Sequence, residues 1–141
     1  MPDTQTKTAK GAMPSREASL HWVAGAITLA LFLTSGAYMR WLRTPPVGQL
    51  DHATRAVYRS RHLFLLFSAV LNLAVAGVPR LRRTRKLVAG ALLVTPLLFV
   101  VAFFVEPARG IQAASWSRPA FYVLFGAAII LLLAGRPRLR Q

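Results

Sequence analysis

The sequence predicts an all-α membrane protein: a bundle of four transmembrane helices with a short interfacial helix before the second span. Three observations support this fold class. The chain has 141 residues, of which 55% are hydrophobic and only four are Asp or Glu. Its 18 Lys and Arg residues fall in clusters, and between the clusters lie four long stretches almost without charge. A helix needs roughly 20 apolar residues to cross a hydrocarbon core of about 30 Å, which these stretches approach.

The chain begins with a polar segment, residues 1–19, which has no hydrophobic pattern and predicts a disordered cytoplasmic tail. The first span follows at residues 20–39, with the sequence LHWVAGAITLALFLTSGAYM. Basic residues before it and small residues near its end are also found in cleaved signal peptides. Its apolar run is longer than the hydrophobic region of a signal peptide, and three further spans need membrane neighbours. We therefore expect this helix to be retained.

The loop after the first span contains a Pro-Pro turn and then a short helix over residues 50–61, capped by Asp51. Spacings of four, four and three residues place a set of polar side chains on one helix face: Asp51, Arg55, Arg59 and His62. A polar face of this kind is typical of a helix at the membrane interface. We expect it to continue into the second span, residues 62–78, which Gly77 and Pro79 close.

The third span covers residues 87–105, with a kink at Thr95-Pro96 and an end at Glu106-Pro107. A short loop with five positive charges separates it from the second span. The fourth span covers residues 119–134 and opens at Pro119, because proline is favoured in the first turn of a helix. Residues 135–141 form a basic cytoplasmic tail. The membrane domain as a whole is thus predicted over residues 20–134.

The distribution of positive charge predicts the topology. Eleven of the 18 Lys and Arg residues, including all three lysines, lie on the same side of the four spans as the two termini. Seven lie on the other side. Because cytoplasmic loops carry the excess of Lys and Arg, we expect a bacterial inner-membrane protein with both termini in the cytoplasm.

Composition also limits the partners and the chemistry. The net charge of +14 comes from residues that bracket hydrophobic spans, so anionic lipid headgroups, and not nucleic acid, are the expected contacts. The absence of cysteine excludes disulfides, thiolate metal sites and iron–sulfur clusters. Nucleotide-binding, zinc-protease, EF-hand and nucleophile-elbow motifs are absent as well. We identify no catalytic residues and no metal site.

Polar residues inside the spans are the first candidates for function. In the first span a seven-residue spacing places three of them along one stripe: His21, Thr28 and Ser35. In the second span Ser68 and Asn72 share a face. An unpaired amide costs on the order of 4 kcal/mol in hydrocarbon, so we expect Asn72 to bond to Thr28, Thr95 or a backbone carbonyl. These residues either pack helices or line a pathway, and packing is the simpler hypothesis.

Glu106 is the only acidic residue directly adjoining a predicted span, and it ends the third one on the outer side. The predicted topology places an outer polar cluster around it: Arg55, Arg59, His62 and Arg109. One hypothesis is a structural ion pair that joins the third helix to the interfacial helix. The other is an outer site for anion binding or proton handling that contains Glu106 and His62. We favour the ion pair.

The first span also resembles the first helix of bacterial cytochrome b561-type proteins, four-helix membrane carriers of haem b that pass electrons from quinol. In that family the histidine of an LHW sequence ligates haem, and another ligand opens the second helix; His21 and His62 match these positions in type. The resemblance implies haem b as cofactor. The family takes further ligands from its last helix, whereas no histidine follows His62 here. The predicted topology also separates the two histidines by about 30 Å, so we expect no cofactor.

More generally, the chain resembles small, functionally uncharacterised four-helix membrane proteins of proteobacteria, most closely in HLFLLFSAVLNL and LLFVVAFFVEP. We therefore expect a small, non-enzymatic inner-membrane protein that acts as an accessory, assembly partner or oligomeric subunit. One alternative is a haem b electron carrier. Another is a small transport or ion-handling unit that works as an oligomer, with Asn72 and the region of Glu106 and His62 on its pathway.

Overall fold

The computed structural model of the chain describes residues 16–77, 83–109 and 115–135, without the side chains of residues 83–85 and 134–135. The described ranges contain no strand and five α-helices: α1 Arg16–Ala37, α2 His52–Ala76, α3 Arg83–Leu92, α4 Thr95–Arg109 and α5 Ser117–Gly135. A π-helical segment, Tyr38–Leu42, and a short 3₁₀ helix, Val47–Gln49, lie between α1 and α2. The predicted all-α class is therefore confirmed for this part of the chain. Most of the predicted N-terminal tail, half of the basic loop and most of the C-terminal tail lie outside the described residues.

The first helical segment, α1 together with the π-helical turn that follows it, is longer at both ends than the predicted span of residues 20–39. α1 begins at Arg16, and Glu17 lies in its first turn, where a negative charge is favourable. At the other end the chain continues as a π-helical segment, Tyr38–Leu42. The amide of Arg43 closes this wider turn by donating to the carbonyl of Tyr38 at 3.0 Å.

α2 is one continuous helix, so the predicted interfacial helix and the second span form a single element. Asp51 caps it, because its carboxylate accepts a hydrogen bond from the backbone amide of Thr54 at 3.0 Å. Hydrogen bonds from the side chain and amide of Thr54 hold the pKa of the Asp51 carboxyl below its ordinary value. The helix ends at Ala76, and the amide of Gly77 donates to the last free carbonyls.

The predicted third span consists of two helices, α3 and α4, which a turn at residues 93–94 separates. This break lies directly before the kink expected at Thr95-Pro96. Pro96 has no amide hydrogen and crowds the carbonyl of Leu92 four residues earlier. The hydroxyl of Thr95 donates to that carbonyl at 2.9 Å. The two helices thus form one bent rod, and the described helices make four rods in total.

The end of the third rod and the start of the fourth also differ from the prediction. The expected end of the third span at Glu106-Pro107 is wrong, because α4 continues to Arg109 with Pro107 inside its last turn. The fourth span begins earlier than residue 119, since α5 starts at Ser117. Pro119 then occupies the third position of the helix, still within the first turn, where its missing amide hydrogen removes no intrahelical bond.

The four rods alternate in direction. α1 runs antiparallel along α2, so that His21 lies beside Asn72 and Phe32 beside His62. α4 also runs antiparallel to α2, while α5 lies parallel to it. We call the two ends of the bundle the Glu17 end and the Glu106 end. The apolar core lies between α2, α3, α4 and α5: Leu65, Val75, Ala89, Leu92, Phe99, Ala120, Leu124 and Ala127.

The face of α1 that packs against the other helices is polar. The residues that it buries are all polar or lack a side chain: His21, Gly25, Thr28 and Ser35. Its exposed face carries large apolar side chains: Leu20, Trp22, Val23, Ile27, Leu31 and Leu33. This distribution is the reverse of that expected for a helix on the surface of a protein in water.

Two helical segments among the described residues are long and apolar enough to cross a membrane: Arg16–Leu42, with 27 residues, and Lys86–Arg109, with 24. The apolar helix Ser117–Leu133 is shorter. α2 does not belong to this group, and its first ten residues include three arginines. Length and composition therefore support two of the four predicted spans directly.

Candidate functional site

Asn72 lies at the centre of a polar network between α1, α2 and the rod of α3 and α4. Its side chain is fully buried. The amide nitrogen Nδ2 donates to the carbonyl of Ser68 at 2.9 Å and to that of Leu92 at 3.4 Å. The amide oxygen Oδ1 lies 2.8 Å from Nδ1 of His21. The network thus joins three of the four rods through one side chain.

These contacts determine which nitrogen of His21 carries a proton. Both carbonyls require Nδ2 of Asn72 as their donor, so its Oδ1 faces the histidine as an acceptor. Nδ1 of His21 is therefore protonated and donates to Asn72. When the ring is neutral, Nε2 carries the lone pair.

The network continues through two hydroxyl groups. The Oγ of Ser68 and the Oγ1 of Thr95 lie 2.7 Å apart, and both side chains are fully buried. Thr95 also donates to the carbonyl of Leu92, the same carbonyl that Asn72 reaches. Because Pro96 cannot bond to this carbonyl, the two side chains satisfy a backbone acceptor that the proline leaves free.

The predicted stripe on α1 is buried along its whole length, and its members have different partners. Thr28 donates to the carbonyl of Ala24 in its own helix at 2.6 Å and not to Asn72. Ser35 donates to the carbonyl of Phe32 at 2.9 Å, and its Oγ lies 2.9 Å from Nδ1 of His62. Among the described side chains, every fully buried nitrogen and oxygen atom has a hydrogen-bond partner.

His62 lies against α1. Its ring stacks on Phe32 with the ring centroids 4.1 Å apart, and it approaches Gly36 closely. The prediction that His62 shares a site with Glu106 therefore needs correction. His62 and Arg61 are neighbours in sequence, and successive residues of a helix point about 100° apart. His62 consequently faces α1, and Arg61 faces α4.

Glu106 is the centre of a second buried polar group, at the Glu106 end of the bundle. Its side chain is 1% exposed, and its Oε2 accepts a hydrogen bond from Nε of Arg61 at 2.6 Å. Its Oε1 accepts from the backbone amides of Trp116 and Ser117 at 3.0 and 2.8 Å. One carboxylate thus joins α2 and α4 and also caps the start of α5.

None of the three arginines predicted to surround Glu106 bonds to it among the described residues. Arg55 donates to the carbonyl of Gly48 at 3.3 Å. Arg59 and Arg109 are exposed. The expected ion pair between the third helix and the interfacial helix exists, but Arg61, the last residue of the predicted interfacial helix, forms it with Glu106. The predicted polar face begins at Asp51 and continues in steps of four, four and three residues. Arg61 does not belong to that series.

Sequence reasoning also missed His21 as the partner of Asn72. The register of the antiparallel pair α1 and α2 would have been needed to predict this contact. A helix pair that places His62 beside Ser35 also brings residue 72 close to the start of α1, because residue numbers along antiparallel helices change in opposite directions.

His21 and His62 do not fit the axial positions of one haem in this chain. His62 bonds to Ser35, which follows His21 by 14 residues, or about 21 Å along the helix axis. Two metal–nitrogen bonds of about 2 Å each span far less. The cavity beside His21 has a volume of about 100 Å³, which is small for a ligand of the size of haem.

The chain matches no protein-family model, no curated protein and no solved structure. The resemblance to cytochrome b561-type proteins and to small four-helix membrane proteins therefore stays a prediction from the sequence.

Proposed function

We propose that this chain is an integral membrane protein of the bacterial inner membrane, with four spans and both termini in the cytoplasm. Its role in this proposal is non-enzymatic: an accessory or assembly partner, or a subunit of an oligomer. The observation that carries the proposal is the reversed polarity of α1, which buries His21, Thr28 and Ser35 and exposes leucine, isoleucine and tryptophan.

Reversed polarity is favourable only where the surroundings are apolar. In water, each Å² of apolar surface that α1 leaves exposed would forgo about 25 cal/mol of the free energy that its burial contributes. In lipid the same face needs no cover, and the polar face finds its hydrogen bonds inside the bundle. Exposed apolar side chains also occur on the other rods: Leu97, Val101 and Phe104 of α4, and Tyr122, Phe125, Ile129 and Leu132 of α5.

The positions of the tryptophans support the same proposal. All three tryptophans are exposed, with Trp22 towards the Glu17 end and Trp41 and Trp116 at the Glu106 end. Trp22 and Trp41 are 19 residues apart, or about 28 Å along a helix. Tryptophan is enriched at both membrane–water interfaces, whose separation is close to this distance.

A structural role is supported by the hydrogen bonds of the polar network, whose groups bond to one another and to the backbone. Asn72 uses both ends of its amide on protein groups, and Ser68 and Thr95 bond to each other. A transport pathway would instead offer some of these groups to its substrate. The contacts of Asn72 therefore favour helix packing over ion handling.

Fractionation of expressing cells tests the proposal. We expect the full chain to stay with the membrane pellet after a sodium carbonate wash and to need detergent for extraction. Reporter fusions after Gly48 and Gly135 should show an external and a cytoplasmic signal respectively. Release by carbonate would contradict membrane insertion, and a cytoplasmic signal from Gly48 would contradict the orientation.

A subunit or accessory role predicts a second result. Detergent-solubilised protein from its native membrane should migrate on a native gel as an assembly larger than the 15.5 kDa chain in its micelle. Migration as a monomer at every detergent concentration would contradict that role and leave membrane insertion unaffected.

A further inference from the structure

A cavity of about 220 Å³ opens between α2 and α5 at the Glu106 end of the bundle. The residues that line it are two arginines, one serine and three aromatic residues: Arg61, Phe64, Ser117, Arg118, Phe121 and Tyr122. Its lining thus combines basic and aromatic side chains, and we call the two arginines its basic rim.

The two arginines differ in how they are held. Arg61 is 12% exposed, and its Nε and Nη1 donate to Glu106 and to the hydroxyl of Ser60. Its remaining terminal nitrogen, Nη2, bonds to no described residue. Arg118 is exposed and forms no ion pair within the described chain. With the carboxylate of Glu106 included, the group carries a net charge of +1.

The start of α5 does not itself offer an anion site. The backbone amides of Trp116 and Ser117, which a helix N-terminus would present to an anion, already donate to Glu106. These two amides are therefore not available to an anion in this cavity, and the arginine side chains carry the charge that would attract one.

A strip of aromatic side chains on α2 and α5, half-buried at Phe64 and Phe121 and exposed at Phe67 and Phe125, extends from the cavity. Phe121 lies between Phe64 and Phe125, with ring centroids 5.5 and 4.4 Å away, and Phe125 lies 6.1 Å from Phe67. Phe67 and Phe125 are exposed. The strip continues from the charged rim towards the middle of the bundle, because successive members are one helical turn apart.

We infer that this cavity binds the phosphate headgroup of an anionic phospholipid, with Arg61 and Arg118 on the phosphate and an acyl chain along the aromatic strip. The inference rests on the membrane location proposed above. Guanidinium groups match phosphate oxygens in geometry and charge. A free phosphate ion would use the rim alone, whereas a phospholipid uses the rim and the strip together. The combination of the two favours the lipid.

Lipid binding to the purified full-length protein tests the inference by native mass spectrometry in a neutral detergent. We expect wild-type protein to bind dioleoylphosphatidylglycerol more tightly than dioleoylphosphatidylcholine. Arg118→Gln should weaken binding of the anionic lipid about five- to tenfold and leave the zwitterionic lipid unchanged, because one charge-assisted contact is lost. The matched control is Arg109→Gln, which removes an exposed arginine near the same end that does not line the cavity.

Three results would overturn the inference. An equal loss in Arg109→Gln would show diffuse attraction by surface charge. Competition by sn-glycerol 3-phosphate at the same concentration as the lipid would show a site for a soluble anion. Unchanged lipid binding in Phe125→Ala would show that the acyl chain does not lie along the aromatic strip. Protein that pellets with membranes but does not prefer the anionic lipid contradicts only this inference, whereas protein released by carbonate contradicts the proposed function.

Discussion

At the residue scale, the contacts of Asn72 join three rods through a single amide. The interaction is favourable because the amide is buried with partners at both its nitrogen and its oxygen. Its bond to Leu92 also takes part in satisfying the carbonyl that Pro96 leaves free. The break between α3 and α4 and the polar face of α1 are therefore connected through one side chain.

Replacing Asn72 with leucine should lower the free energy of unfolding by about 1–3 kcal/mol. Leucine has a similar shape but leaves Nδ1 of His21 without an acceptor and Leu92 with only Thr95 as a side-chain donor. The measurement is SDS-induced unfolding of detergent-solubilised protein, followed by circular dichroism. Thr34→Val is the control, because this exposed hydroxyl donates only within its own helix, and its effect should stay within about 0.5 kcal/mol. Equal stabilities of Asn72→Leu and wild type would contradict the packing role.

At the element scale, α1 and α2 approach each other closely at Gly25. A Cβ atom at this position would lie 2.6 Å from Cγ of Leu73 and 3.1 Å from the carbonyl oxygen of Ala69. The absence of a side chain therefore permits the contact. Close approach of backbones through small residues is a common way to associate helices in lipid, where burial of apolar surface from water gives no driving force.

Gly25→Ala should lower the free energy of unfolding by about 1–3 kcal/mol. Leu73 can rotate away from the added methyl group, but the backbone carbonyl of Ala69 moves only if the helices separate. Gly126→Ala is the matched control: it lies inside α5 with nothing within 4 Å of the added atom. Alanine favours helix by up to about 1 kcal/mol over glycine, so the control should be neutral or more stable. SDS unfolding curves of both variants decide the matter, and similar losses in the two would argue against a close α1–α2 contact.

At the scale of the whole molecule, two ion pairs join distant parts of the chain, and they differ in how far they are buried. Glu106 and Arg61 are 1% and 12% exposed, and the same carboxylate accepts two backbone hydrogen bonds. Lys86 and Glu17 connect α3 to α1 at 2.9 Å with both side chains about half exposed. Water and salt weaken the second pair far more than the first.

Glu106→Gln should therefore reduce the free energy of unfolding by about 2 kcal/mol or more, because the largely desolvated guanidinium of Arg61 loses its charged partner. Glu17→Gln should change it by no more than about 0.5 kcal/mol. Unfolding curves at low and high salt provide the comparison, and only the Glu17 effect should fade at high salt. If Glu106→Gln and Glu17→Gln were equally stable, the structural role of Glu106 would be refuted.

Local chemistry along the chain accounts for the parts of the fold that could be predicted from sequence. Long apolar stretches predicted the helices, Asp51 predicted the start of α2, and Pro96 predicted the break in the third span. The seven-residue spacing of His21, Thr28 and Ser35 predicted a common face. Each of these features depends on neighbours within a few turns, so the sequence by itself determined them.

Only the tertiary structure decided which polar groups meet. His21 reaches Asn72 across 51 positions and Arg61 reaches Glu106 across 45. Both pairings depend on the rotation and register of whole helices. A shift of one residue turns a side chain by about 100°, and hydropathy, which identified the helices, is nearly the same on all sides of an apolar span. Rotation and register instead follow from packing, with Gly25 against Leu73 and Phe32 against His62, and packing exists only once the helices are assembled.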